Sequence, residues 1–297
     1  MAVLPFGDRI DLAQVLRDAS GRPAALGFES VRVTGSVEAS LAALRAARKL
    51  GAQSCTTLLQ PGQYQIVQLD APEVPPEERV EALRWQLKGI VDFPVDGASI
   101  GVVDIPMESG AGRKASVFAV AAGAGVIGPL MRQFDEARVP LRAIDIPEFA
   151  QRNVAALFEE ENRGLGFLYF DGRGGLLTIT YRGELYAMRR IEISARQMMD
   201  AERRPQLLER VMLELQRTLD NFDRQYSFIS VSGMVVASAP EVPELLPYLA
   251  ENLYVPVRAM DLAAVCDLSR VPELSDAARQ AECLPALGAA LRSSEAT

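Results

Sequence analysis

Two rhythms of apolar residues run along this chain. From Gly164 to Ile193 the rhythm is that of strands: Phe167-Leu168-Tyr169-Phe170 is a continuous apolar run, and Leu177, Ile179 and Tyr181 then alternate with Leu176, Thr178 and Thr180. Three consecutive strands are predicted, joined by Asp171-Gly172-Arg173-Gly174-Gly175 and by Arg182-Gly183. Three glycines in that first turn permit positive φ, and inward N–H groups there can cradle an anion; an ordinary hairpin connection is the other reading.

The helical rhythm is clearest from Arg203 to Asp223. Leu207, Leu208, Val211, Met212, Leu215, Leu219 and Phe222 face one way and Glu209, Arg210, Glu214, Arg217 and Asp220 the other, which predicts a long helix lying on a sheet. The first 33 residues read as strands from Ala2 to Phe6, Ile10 to Arg17 and Ala24 to Val33, with Gly7-Asp8-Arg9 as the first turn. Ser36 and Glu38 then start a helix whose face is Val37, Leu41 and Leu44, and Gly51 is expected to end it. Further on, helices are predicted around Val126 to Phe134, around Phe149 to Leu157, at Leu245 to Leu253 and at Leu284 to Leu291, with strands at Val139 to Ile144, Phe228 to Ala237 and Val255 to Val257. The order strand, turn, long strand, turn, strand, helix occurs in both halves, which suggests two related lobes.

Between these halves the pattern predicts an inserted βαββ unit near 65–121. Pro75-Pro76-Glu77-Glu78 opens its helix, proline suiting the first turn and carboxylates the positive end of the dipole. Val80, Leu83, Leu87 and Ile90 form one stripe, and Phe93-Pro94 follows it. Trp85, the single tryptophan, points about 140° away from Val80 at 100° per residue. It is either buried by a neighbouring subdomain or offered to a partner. The predicted fold class is α/β with mixed sheets. The first lobe is 1–158 and the second 159–297, with a last helix near 281–293 packing back on the first.

Composition narrows the chemistry. In 297 residues there is no histidine, which removes Ser-His-Asp and Cys-His nucleophile systems, histidine-bound zinc and a histidine base. Cys55, Cys266 and Cys283 are far apart and read as buried apolar residues in a reducing compartment. A net charge of −8, without a cluster of basic and aromatic residues, argues against nucleic acid. The opening MAVLPFGDRI lacks a basic region followed by a long apolar one, so no signal peptide is read there. No stretch reads as a membrane span, since the most apolar window, Ala115 to Met131, is short and carries Gly123, Gly125, Gly128 and Pro129. No catalytic residue and no metal ligand set can be named.

Several stretches, taken in order, resemble the actin-like assembly proteins of type IV pili, the PilM-type family, and within it the MshI-type branch of mannose-sensitive haemagglutinin pili. They are Glu81 to Lys88 with Val91-Asp92-Phe93-Pro94-Val95-Asp96, then Val139 to Ala150, Leu245 to Val257, and Leu287 to Arg292. The resemblance implies an actin-like, ribonuclease H-like fold of two lobes. It implies a cytoplasmic scaffold, peripheral at the inner membrane and held there through partners, that binds the N-terminal tail of a bitopic pilus assembly protein. A pilus secretion ATPase and a second copy of the chain are further candidate partners. Arg84, Trp85, Phe93 and Pro94 on the insertion are then the partner-binding candidates.

The same resemblance places a nucleotide, ATP with magnesium, at Gly7 and Asp8 in a first phosphate turn, at Asp171, Gly172, Arg173, Gly174 and Gly175 in a second, and at Ser238 near the adenine. The matches there are partial. The first turn lacks the family's Gly-Ser-Ser run, Arg173 replaces a usual glycine, and Ala237-Ser238-Ala239-Pro240 replaces a glycine cluster. Hydrolysis needs a carboxylate for the metal and a group that positions water, and no residue can be named for the second task. Two readings follow: a docking scaffold with a degenerate nucleotide site, and an ATP-binding switch or slow ATPase. A sugar kinase on this fold is disfavoured, because neither a base nor a run of sugar-binding polar residues is present.

Overall fold

The computed structural model describes residues 1–107, 114–237 and 242–292. The chain forms two compact units, Met1–Arg32 with Pro147–Thr297, and Val33–Ile146. Residues 1–32 and 147–158 thus belong to the same unit as 159–297, a division that follows packing and not chain halves.

The first unit begins with an antiparallel meander, β1 (Ala2–Phe6), β2 (Arg9–Arg17) and β3 (Pro23–Arg32). The chain then builds the second unit. Helix α1 (Val37–Arg48) is capped by Ser36, whose hydroxyl accepts the Ala39 N–H, and buries Leu41 and Leu44. It ends one turn before the glycine expected to stop it: Lys49 takes φ 54° as the C-cap, and Gly51 falls in the short 3-10 turn that follows. Strands β4 (Cys55–Leu58), β5 (Gln65–Asp70), helix α2 (Arg79–Leu87), β6 (Ser99–Ile105), β7 (Ser116–Ala122), helix α3 (Ala124–Glu136) and β8 (Leu141–Asp145) complete this unit. β8 runs parallel to β4.

Within it, β5, β7 and β6 form a separate antiparallel sheet in that order, with α2 against β6. This is the βαββ insertion expected from the sequence. Its small core joins Leu87, Val91, Val95, Ala119 and Ala121.

Returning to the first unit, helix α4 (Pro147–Ala155) leads into β9 (Gly164–Phe170), β10 (Gly175–Tyr181) and β11 (Glu184–Ile191), a second antiparallel meander. A helical turn, α5 (Ala195–Met198), precedes the long α6 (Arg204–Gln225), whose predicted stripe from Leu207 to Phe222 is buried throughout. Strand β12 (Val231–Val236) is parallel to β9, and after α7 (Leu245–Asn252) comes β13 (Val257–Ala259), parallel to β12. Both strands start later than predicted, because Phe228 and Val255 lie in the preceding connections. In the first of these connections Tyr226 packs edge-on against Phe228, at a centroid distance of 6.3 Å.

The last helix, α8 (Ala277–Ala290), is longer than the sequence suggested and packs on α4, β1 and β2. Gly288 makes the approach possible: a Cβ there would stand 2.1 Å from the Ala150 carbonyl oxygen. The core of this unit joins Val154, Phe158, Phe167, Val235, Cys266, Cys283 and Leu287, so sheet and helices share one apolar interior.

Candidate functional site

The two glycine turns lie at the ends of β1 and β9, in the same unit. In the first, Phe6 pairs with Arg9 across a two-residue connection, and Gly7 supplies the positive φ of 62° that a short hairpin with a leading glycine needs. Asp8 is exposed. Just beyond, Asp11 is only 2% exposed; it accepts the Ser30 hydroxyl of β3, and Arg9 Nε donates to it at 3.2 Å.

In the second turn Phe170 pairs with Gly175, leaving Asp171 to Gly174 as the connection. Asp171 Oδ1 accepts the N–H of Arg173 at 2.7 Å and of Gly174 at 3.0 Å, while the Asp171 N–H donates to the Gly174 carbonyl at 2.9 Å. The N–H groups that would cradle an anion therefore already hold one, the carboxylate of the turn itself. The glycines do not serve positive φ, as the sequence suggested: none of Gly172, Gly174 and Gly175 adopts it. Two serve close packing, since a Cβ on Gly174 would meet the Ile191 carbonyl oxygen at 2.5 Å and one on Gly175 the Phe170 ring at 2.6 Å. Gly172 and Arg173 are exposed. Ser238 lies outside the described residues.

Tyr169, which the sequence reading left without a role at this site, joins the two turns. It packs on the core of its unit, and its hydroxyl is within electrostatic reach of Asp171, Arg9 and Asp11. Burial, reinforced by the Asp171 charge, pushes its phenol well above the usual range. A polar residue on the core face of a strand was the available signal for both Tyr169 and Asp11. Both were hidden by apolar neighbours on either side.

The insertion carries the other candidates. Leu83 and Leu87 are fully buried, but Val80 and Ile90, assigned to the same stripe, are 39% and 49% exposed. Ile90 leaves the stripe because α2 ends at Leu87, with Lys88 extended as its C-cap, and Val80 lies in the first turn. Trp85 is 70% exposed, with the Lys88 ammonium 5.4 Å from its ring centroid. Arg84 instead points inward: its Nη1 donates to the carbonyls of Val95 and Ala98, and its Nε pairs with Glu81. It is a strut that fastens the loop after α2. Phe93 is partly buried against the small core of the insertion, beside Gly123, and Pro94 is exposed. Among the partner-binding candidates, then, Trp85 and Pro94 face outward, Phe93 does so in part, and Arg84 holds the scaffold.

Among the described residues no group of three acidic or cysteine side chains could hold a metal, and no helix is long and apolar enough to cross a membrane. No family model and no curated protein matches the chain. Among solved structures it is similar over 98% of its length to a chain of the PilM–PilN type IV pilus biogenesis complex, covering 97% of that chain at 18% identity with a TM-score of 0.69. It is also similar over 94% of its length to the cytoplasmic domain of EpsL, an inner-membrane component of the type II secretion system of Vibrio cholerae, covering 94% of that chain at 11% identity with a TM-score of 0.52. These likenesses show the fold, which is actin-like.

Proposed function

We propose that this chain is a docking scaffold of a type IV pilus assembly apparatus, of the MshI type, that works at the cytoplasmic face of the inner membrane. Its inserted unit captures the N-terminal tail of a bitopic pilus assembly protein. The observation that carries this reading is Trp85. A lone tryptophan left 70% exposed on a small inserted unit, with its neighbours Leu83 and Leu87 buried, is an anchor in want of a partner. The structural likeness to a complex of PilM with PilN supports the class of partner.

The nucleotide site is degenerate in this reading. Asp171 fills its own N–H nest, the first turn has two residues, and Asp11 is engaged by Ser30 and Arg9. A triphosphate at the second turn would displace a carboxylate from its hydrogen bonds or lie against its charge. Among the described residues, the two turns do not fit a triphosphate in this reading, and no hydrolytic step is assigned.

The test is a pull-down with the cytoplasmic tail of the neighbouring pilus protein, together with melting curves in Mg-ATP. The wild-type chain retains the tail, Trp85→Ala loses it while still folding, and Mg-ATP leaves the midpoint unchanged. Absence of capture by the wild type rejects the scaffold. A saturable Mg-ATP shift of several degrees favours the nucleotide switch instead, since a ligand bound only by the folded state stabilises it.

A further inference from the structure

The chemistry of the docked segment follows from the charges around Trp85, and the inference rests on the docking reading above. Between Asp70 and Asp104 there are eight carboxylates and three basic side chains, a net of −5 in 35 residues of a chain whose total is −8. The two arginines are already engaged, Arg79 with Asp104 and Arg84 with Glu81 and two carbonyls. Asp70, Glu73, Glu77, Glu78 and Asp96 form no ion pair with the described residues.

Compensation of the α2 dipole accounts for Glu77 and Glu78, which precede its first turn. It does not account for Asp70 and Glu73, which lie upstream of the helix, or for Asp96, which lies past its end. Glu78 at the N-cap of α2, Glu81 and Trp85 on it and Lys88 at its C-cap are spaced by three and four residues and are all exposed, so acid and indole share one outward stripe, on which Glu81 is paired with Arg84 and Glu78 is not.

We propose that this stripe receives a short peptide segment in which arginine or lysine alternates with apolar residues. The apolar residues cover the indole and the cations answer the unpaired carboxylates. A guanidinium also stacks favourably on an indole face, a position that Lys88 already shows to be attractive to a cation. Segments flanking a membrane-spanning helix on the cytoplasmic side are rich in lysine and arginine, which is the required chemistry. An anionic lipid surface is repelled by the same carboxylates, and so is the same stripe of a second copy.

Trp85 is the only tryptophan, so its emission reports the site directly. The full chain is titrated with synthetic peptides of alternating leucine and arginine, leucine and glutamine, and leucine and glutamate. The arginine peptide shifts the emission and binds on the order of tenfold tighter than the glutamine peptide, an advantage lost at high salt, and the glutamate peptide does not bind. A chain carrying Asp70→Asn, Glu73→Gln, Glu77→Gln, Glu78→Gln and Asp96→Asn together binds the arginine and glutamine peptides alike.

Equal affinity of the wild type for those two peptides overturns the proposal. So does an emission shift caused by phosphatidylserine vesicles and not by the arginine peptide. Where the pilus protein's tail is captured but its binding ignores charge, this inference fails and the docking reading stands. Where the arginine peptide binds selectively and the tail is not captured, the docking reading fails alone.

Discussion

The carboxylate of Asp171 accepts the backbone N–H of Gly174 at 3.0 Å, three residues along the same turn. That contact, with its companion to Arg173, makes the glycine-rich connection self-contained. Asp171→Ala removes an acceptor from two N–H groups and is expected to cost about 1–2 kcal/mol in urea unfolding. Asp171→Asn keeps an acceptor oxygen at the same place and costs less than half as much.

The glycines of the fold divide by the space around them. Gly288→Ala forces a methyl group onto the Ala150 carbonyl between α8 and α4 and is expected to destabilise by roughly 3 kcal/mol or more, read by chemical denaturation. Gly172→Ala meets nothing within 4 Å and has no positive φ to strain, so it stays within about 0.5 kcal/mol of the parent.

Two adjacent residues of α2 are expected to separate stability from binding. Arg84→Ala removes the guanidinium from the Ala98 carbonyl and from the Val95 carbonyl, which keeps only the Ala98 N–H, and costs about 1–2 kcal/mol, lowering the melting midpoint by several degrees. Trp85→Ala leaves the midpoint within a degree or two, because little of the indole is buried. Calorimetric melting of the two variants checks this directly.

Glu159 gives stability a pH dependence of known sign. Burial, aided by the Glu184 charge, raises its carboxyl above the ordinary 4.5, although the Gly183 N–H donates to it at 2.9 Å. A raised carboxyl contributes stability that is complete below that ordinary value and is lost as pH climbs through the folded-state value. Glu159→Gln is therefore expected to be more stable than the parent at neutral pH, with the difference vanishing under acid conditions. A Glu159→Gln chain that melts below the parent at pH 7 contradicts this.

The thiols are expected to be inert in the native state. Burial pushes Cys55 up to about 11 and Cys283 up to about 12, and raises Cys266 as well. At pH 8 a disulfide reagent should titrate none of the three quickly, and all three once the chain is unfolded in urea. Rapid reaction of any of them in the native chain would count against this burial.

What the sequence determined by itself is what repeats along it. The stripe of α6, the two meanders, the Ser36 cap and the βαββ insertion are all local patterns, in which each residue's spacing to its neighbours states which face it occupies. Patterning reached α/β with mixed sheets; the actin-like architecture came from the ordered stretches that resemble the PilM-type family. The tertiary structure decided matters that depend on residues far apart. Whether Gly174 exists for φ or for room depends on the Ile191 carbonyl on β11. Whether Arg84 faces a partner or ties a loop depends on carbonyls 11 and 14 residues ahead. Where Tyr169 lies depends on β2, which enters the same core from the other end of the chain. Spacing fixes a side chain's direction from its own helix or strand; only packing supplies what it meets there.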